Sequence, residues 1–175
     1  MKVTAKFDSS HSDVTLLNSG MVAKSTTGTK SHAIVNQGFT SGKAWWSFKL
    51  KVDKTGDARI CLGACIKPVT NSAYDTSPEL WMLRPYSGAC YAAGKYNDKK
   101  IEPKPVEGDV VRFDLDHAAG TLAIKVNGKD HGVCISGLPK QAIYPGTRTL
   151  IVPSLITTAS LLLLQPFLFS YTPHH

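Results

Sequence analysis

Charge and aromatics are both sparse in this sequence: Asp, Glu, Lys and Arg make up 19% of it, and Phe, Trp and Tyr 9%. Set against 42% hydrophobic residues, so little charge excludes an intrinsically disordered chain, which needs the reverse balance. No CxxC pair is present, and Cys61, Cys65, Cys90 and Cys134 fall in no zinc or redox spacing. None of the six histidines has an i, i+4 or Cys partner of the kind that holds a metal. There is no G-x-S-x-G elbow and no glycine loop for phosphate. No cofactor and no metal is therefore implied. Residues 1–7 are polar and charged, so no secretory leader is read there. With free thiols, that favours a reducing compartment, and the expected localisation is intracellular, cytoplasmic or nuclear. No long helical period, repeat or low-complexity stretch occurs.

What is present is a chain of 175 residues, the size of one domain. Folding at that length buries about 70% of the unfolded surface. The net charge is +7, which attracts anionic partners. The basic residues are scattered, however. Lys95, Lys99, Lys100 and Lys104 come closest to a cluster, and Asp98 and Glu102 interrupt them. They are read as a solvated loop rather than a nucleic-acid patch.

The dominant pattern is strand, turn, strand. Over 45–52, Trp46, Phe48, Leu50 and Val52 face one way and Trp45, Ser47, Lys49 and Lys51 the other, a half-buried strand. Ile60, Leu62, Ala64 and Ile66 repeat the pattern over 58–66. Val111, Phe113 and Leu115 do so over 110–115, and Leu122, Ile124 and Val126 over 121–126. Asn127-Gly128 is a type I′ hairpin signal and predicts a further strand near 131–136. Turn signals every 8–12 residues argue for a sandwich or barrel. Residues 67–79 and 94–108, polar and proline-bearing, are expected to be long surface loops. Residues 149–175 contain no Lys, Arg, Asp or Glu. The uncharged run 150–171 is long enough to span a bilayer, but its prolines, Gln165 and hydroxyl residues favour closing strands. No membrane role is expected.

Several motifs, in order, resemble a known family. Lys6-Phe7-Asp8 followed by Val14-Thr15-Leu16-Leu17 resembles the opening strands of a SPRY domain. Phe39 to Phe48 resembles its "sGk-yWev" strand, with Trp46 as the family tryptophan and Ser47 in the usual acidic place. Leu62-Gly63-Ala64-Cys65 resembles "iGva". Leu80-Trp81-Met82-Leu83-Arg84 with Ser87-Gly88 and Tyr91 resembles the "sWgl…nG…y" hairpin. Gly108-Asp109-Val110-Val111, Leu115-Asp116, Gly120-Thr121-Leu122 and Asn127-Gly128 resemble "GDviGv-lD…gtl-f…NG". Gly132-Val133 through Tyr144-Pro145 resembles "Gvaf…lyPav". The resemblance covers about residues 6–146 and departs after Pro145, where Thr158 to Leu164 is the candidate for the last strand.

The resemblance implies an all-β fold, a two-layer antiparallel β-sandwich of the concanavalin-like SPRY type. One domain is expected over 1–164, with 165–175 an apolar tail. It also implies a non-catalytic protein-interaction module that recognises a peptide or protein through loops at one end of the sandwich. Such a module serves as a scaffold or substrate-recognition adaptor, for instance in ubiquitin ligases. Interfaces favour Tyr, Trp and Arg as anchors. The loop candidates are Tyr74 and Asp75, then Arg84 and Tyr86, then Tyr96 and Asn97. Competing readings are a lectin-like sandwich using an exposed Trp45, and a basic nucleic-acid binder with steep salt dependence. For an enzyme, the only prompts are His117 beside Asp116 and His131 beside Asp130, and adjacency in sequence does not make a catalytic set.

Overall fold

Hydrophobic alternation becomes strand alternation wherever the expectation was clearest. A computed structural model of the chain describes residues 6–10, 14–25, 30–50, 60–149 and 161–164. Strand β5 (Lys43–Leu50) buries Ala44, Trp46, Phe48 and Leu50, and β10 (Val110–Asp116) buries Val111, Phe113 and Leu115. They pair antiparallel with Phe113 opposite Trp46. β11 (Thr121–Val126) pairs with β10 on its other side, and β12 (Lys129–Ser136) follows through the Asn127-Gly128 hairpin. Asn127 and Gly128 have φ of 49° and 85°, the positive values a type I′ turn requires.

The remaining strands are β1 (Phe7–Ser10), β2 (Val14–Leu17), β3 (Val22–Ser25), β4 (Ser31–Val35), β6 (Ile60–Cys65), β7 (Leu80–Arg84), β8 (Ala89–Ala92), β9 (Lys95–Lys100), β13 (Tyr144–Thr149) and β14 (Leu161–Leu164). They complete two seven-stranded sheets. Sheet A runs β1-β4-β13-β6-β7-β8-β9 and sheet B runs β12-β11-β10-β5-β14-β3-β2. Every pairing between them is antiparallel. This is the two-layer all-β sandwich expected.

The inner faces meet in one core. Phe39 stacks on Trp46 at 6.0 Å, Trp46 on Phe113 at 5.9 Å, and Phe48 packs edge-on to Phe113 at 6.1 Å. Phe7 of sheet A stacks on Phe48 of sheet B at 6.3 Å, so the aromatic chain bridges both layers. The motif residues that identify the turns tie them together. Asp109 accepts hydrogen bonds from the Val106 N–H at 2.8 Å and from Asn127 Nδ2 at 2.7 Å. Asn127 Oδ1 accepts from the Val110 N–H at 2.9 Å. Two distant turns thus become one rigid corner.

Three expectations need correction. Residues 94–108 are not all loop, because Lys95–Lys100 forms β9, the edge strand of sheet A. Its polar sequence hid it, since an edge strand rich in lysine is solvated along most of its length. β6 is not half-buried: all six residues are buried, because chain folds over its outer face as well. Ser47, expected to face solvent, is buried opposite Arg112. Leu161–Leu164 lies between β5 and β3, within the stretch proposed for the last strand. Residues 150–160 and 165–175, including most of the uncharged run and the whole expected tail, lie outside the described residues. Among the described residues, no helix is long and apolar enough to cross a membrane.

Candidate functional site

Side chains on the outer face of sheet A are set by register. Cys90 and Leu83 point into the core, so Tyr91 and Arg84 point out. Tyr96 pairs with Tyr91 across β8 and β9 and shares that outer face. Ile34, Cys61, Cys65, Leu80 and Met82 form a second apolar cluster there, against which Val69, Tyr74 and Tyr144 pack. Residues 66–79 therefore fold over the outside of the sheet.

Polar contacts fix that covering segment. The Glu79 carboxylate accepts from Thr70 Oγ1 at 2.7 Å and Ser77 Oγ at 2.9 Å, and from the backbone N–H of Thr70 and Asn71. Burial pushes the Glu79 carboxyl up, but these hydrogen bonds outweigh it and hold the group below its ordinary value. Ser72 is held twice. Its carbonyl accepts from Arg148 Nε at 3.0 Å, and its hydroxyl bonds His32 Nδ1 at 2.8 Å. Arg148 is only 2% exposed and lies 5.1 Å from the Tyr74 ring centroid. Beside it, burial pushes the Cys61 thiol up to about 12, although Arg148 and Arg84 pull the other way.

On this base stands a run of rings and cations. Tyr74 meets Tyr91 edge-on at 4.7 Å, and Tyr91 meets Tyr96 at 5.8 Å. The Arg84 guanidinium lies 5.7 Å from the Tyr74 ring and 5.5 Å from Tyr86. Lys104 Nζ is 5.6 Å from Tyr86. These are cation–π distances. Burial raises the Tyr74 hydroxyl above its ordinary value, against the pull of Arg84. Burial disfavours the Arg84 charge, yet Tyr74 and a hydrogen bond to Tyr91 outweigh it and hold the group above its ordinary value.

The six residues singled out in the sequence fare differently. Tyr74 and Arg84 are half-buried, Asp75 is exposed beside them, and Tyr86 and Tyr96 are 44% and 49% exposed. Tyr74, Arg84 and Tyr96 meet at Tyr91, and Tyr86 joins them through Arg84. Asn97 is not among them, because it sits on the opposite face of β9 and donates from Nδ2 to the Cys134 carbonyl at 2.9 Å, tying the sheets. Tyr96 and Asn97 are strand residues rather than loop residues. The residues that reasoning missed as site residues are Tyr91, Lys104 and Arg148. Tyr91 was signalled by its alternation with Cys90, and Arg148 by being the last charged residue of the chain.

The other candidates read as structural. His117 is buried and donates from Nε2 to the Gln141 carbonyl at 2.9 Å, while Asp116 pairs with Lys43 at 3.3 Å. Trp45 is half-buried with the Arg112 guanidinium 4.2 Å from its ring, and both line a recess of about 420 Å³ on the outer face of sheet B. Among the described residues, no group of three or more His, Cys, Asp or Glu could hold a metal.

Comparison with known proteins agrees with the architecture. A sequence model of the SPRY domain matches residues 45–147. The crystal structure of the SPRY domain of human HERC1 superposes with a TM-score of 0.79 at 21% identity, covering 90% of this chain and 96% of that one. The TRIM65 PSpry domain gives a TM-score of 0.68 at 17% identity, covering 93% and 92% respectively. With more than half of its length matched, and the sandwich, hairpin and motif turns in place, the chain belongs to the SPRY domain family.

Proposed function

We propose that this SPRY domain is a non-catalytic module that binds a protein or peptide partner inside the cell, in the cytoplasm or nucleus. The binding surface is the outer face of sheet A around Tyr74, Arg84, Tyr86 and Tyr96, with Asp75 at its margin. The observation that carries this is the exposure of Tyr86 and Tyr96 on a base fixed by Arg84, Tyr91 and Arg148. Rigid, half-exposed aromatics beside arginine are what interface hot spots are made of, since little side-chain entropy remains to be lost on binding. The domain spans residues 1–164 and acts as a scaffold or substrate-recognition adaptor, with association to ubiquitin ligases as one such setting.

Affinity capture with mass spectrometry tests this, comparing wild type with Arg84→Ala/Tyr86→Ala/Tyr96→Ala. Proteins retained by wild type should be lost from the triple variant while its melting temperature stays close to wild type. Identical capture by both would remove this face as the binding surface.

A further inference from the structure

Beside Tyr86, a cavity of about 320 Å³ opens between residues 103–106 and the β11–β12 hairpin. Pro103, Val106 and Val126 give it apolar walls, and Lys104, Lys129 and His131 give it positive and polar ones. Lys104 belongs to both places, lining the cavity and reaching the Tyr86 ring. Val106 is 61% exposed at the wall, more than any other large hydrophobic side chain of the described residues.

Two observations give the cavity a sign, and a third marks a polar atom in its wall left without a partner. Asp109, the one carboxylate lining it among the described residues, is engaged by the Val106 N–H and by Asn127 Nδ2. Among the described residues, neither Lys104 nor Lys129 has a carboxylate within ion-pair distance. Lys129 reaches only the Glu102 carbonyl, at 3.3 Å. His131 Nε2 is shielded from solvent and has no hydrogen-bond partner. A shielded ring nitrogen without a partner costs free energy.

We infer that this cavity receives the carboxylate of an acidic residue in the partner segment, next to an apolar residue that rests on Tyr86. This rests on the interaction-module reading above and adds the partner's chemistry to it. The carboxylate would accept from Lys104 Nζ and Lys129 Nζ, with His131 in the wall beside them. A nucleic acid fits less well, because Asp98 and Glu102 break the run of lysines and a regular phosphate backbone would meet both.

The test is selection of phage-displayed random dodecapeptides on the full chain, with oligouridine RNA as a second probe. Selected peptides should be enriched in Asp or Glu next to an apolar residue. Replacing that acid by its amide, or introducing Lys104→Glu/Lys129→Glu, should weaken binding by roughly tenfold or more. Val106→Glu, at an exposed wall position, should do the same without touching a cation. Peptides that show no acidic enrichment and ignore all three changes, yet are lost with Arg84→Ala/Tyr86→Ala, would overturn the acidic partner and leave the module reading intact. No peptide binding, or binding of the RNA alone, would overturn both.

Discussion

Arg148 is a cation buried under residues 66–79, and Arg148→Ala tests whether that segment is held as described. The variant loses the hydrogen bond from Nε to the Ser72 carbonyl and the contact with Tyr74. A hydrogen bond from a charged donor contributes about 1.5–3 kcal/mol, and a desolvated cation–π contact roughly 2 kcal/mol. Ser72 would keep a buried carbonyl without its donor, and a cavity would form against Cys61, opposite which Arg148 sits in the β13–β6 register. The cost of burying the arginine in the first place offsets part of this. A net loss of roughly 3–5 kcal/mol follows, within the range for breaking one side of a buried polar contact. For a domain of this size each kcal/mol lowers Tm by about 2–4 °C, so the fall should be roughly 6–20 °C.

The location of the effect matters as much as its size. Hydrogen exchange should speed up at Asn71, Thr76 and Ser77, whose N–H groups bond within the segment. It should stay unchanged in β10 and β11, because local opening exposes only the amides it releases. Arg148→Lys keeps the charge but lacks the planar fork and the Nε–H, so it should fall between the two. A Tm change under about 2 °C with unaltered exchange over 70–77 would refute the account, since Arg148 would then hold nothing.

Three further outcomes follow from particular contacts. The buried thiols should resist an aromatic disulfide reagent in the native state and react together on unfolding; burial pushes Cys61, Cys65 and Cys90 up to about 12, and a native thiol that reacts quickly would contradict that. Gly63→Ala should cost roughly 3 kcal/mol or more by denaturant titration, because a Cβ there would come within 2.0 Å of the Trp81 carbonyl oxygen, and a neutral effect would show that the β6–β7 approach is looser. Glu79 has a lowered carboxyl, so its contribution is present above the unfolded carboxylate value and is lost as pH falls through the folded one; stability should drop over that acid range more steeply in wild type than in Glu79→Gln, and parallel profiles would sink the assignment.

The parts of the fold legible in the sequence were those with one wet face. Val110–Asp116 and Thr121–Val126 alternate because one side of each meets the core and the other meets water. The inner face of β6, Ile60, Leu62 and Ala64, was legible in the same way, but the burial of its outer face was not, since that face is covered by a polar-looking segment whose Thr70, Ser77 and Glu79 satisfy one another. β9 was hidden by the opposite circumstance, an edge strand with little apolar pattern to show. The same physics divided the candidate residues. Tyr and Arg near turns stand out by type as candidates, but whether Tyr96 or Asn97 faces the outer surface depends on placing β9. Once β9 is placed, period two settles it: Tyr96 pairs with Tyr91 outside and Asn97 with Cys90 inside.

That division also bears on how the family motifs should be used. Asp109 and Asn127 look like functional polar residues by type, yet each is engaged in holding two turns together. By fixing the β11–β12 hairpin against residues 103–106, they set the width of the cavity that Lys104 and Lys129 line. Asn127 and the Val106 N–H engage the Asp109 carboxylate, the one negative group lining that cavity among the described residues, so it pairs with neither lysine. A turn built for the sandwich therefore leaves a positive, partly apolar recess beside an exposed tyrosine. The recess follows from the motif turns, whereas the charges around it come from residues outside them, Lys104 and Lys129, where the choice of partner would be written.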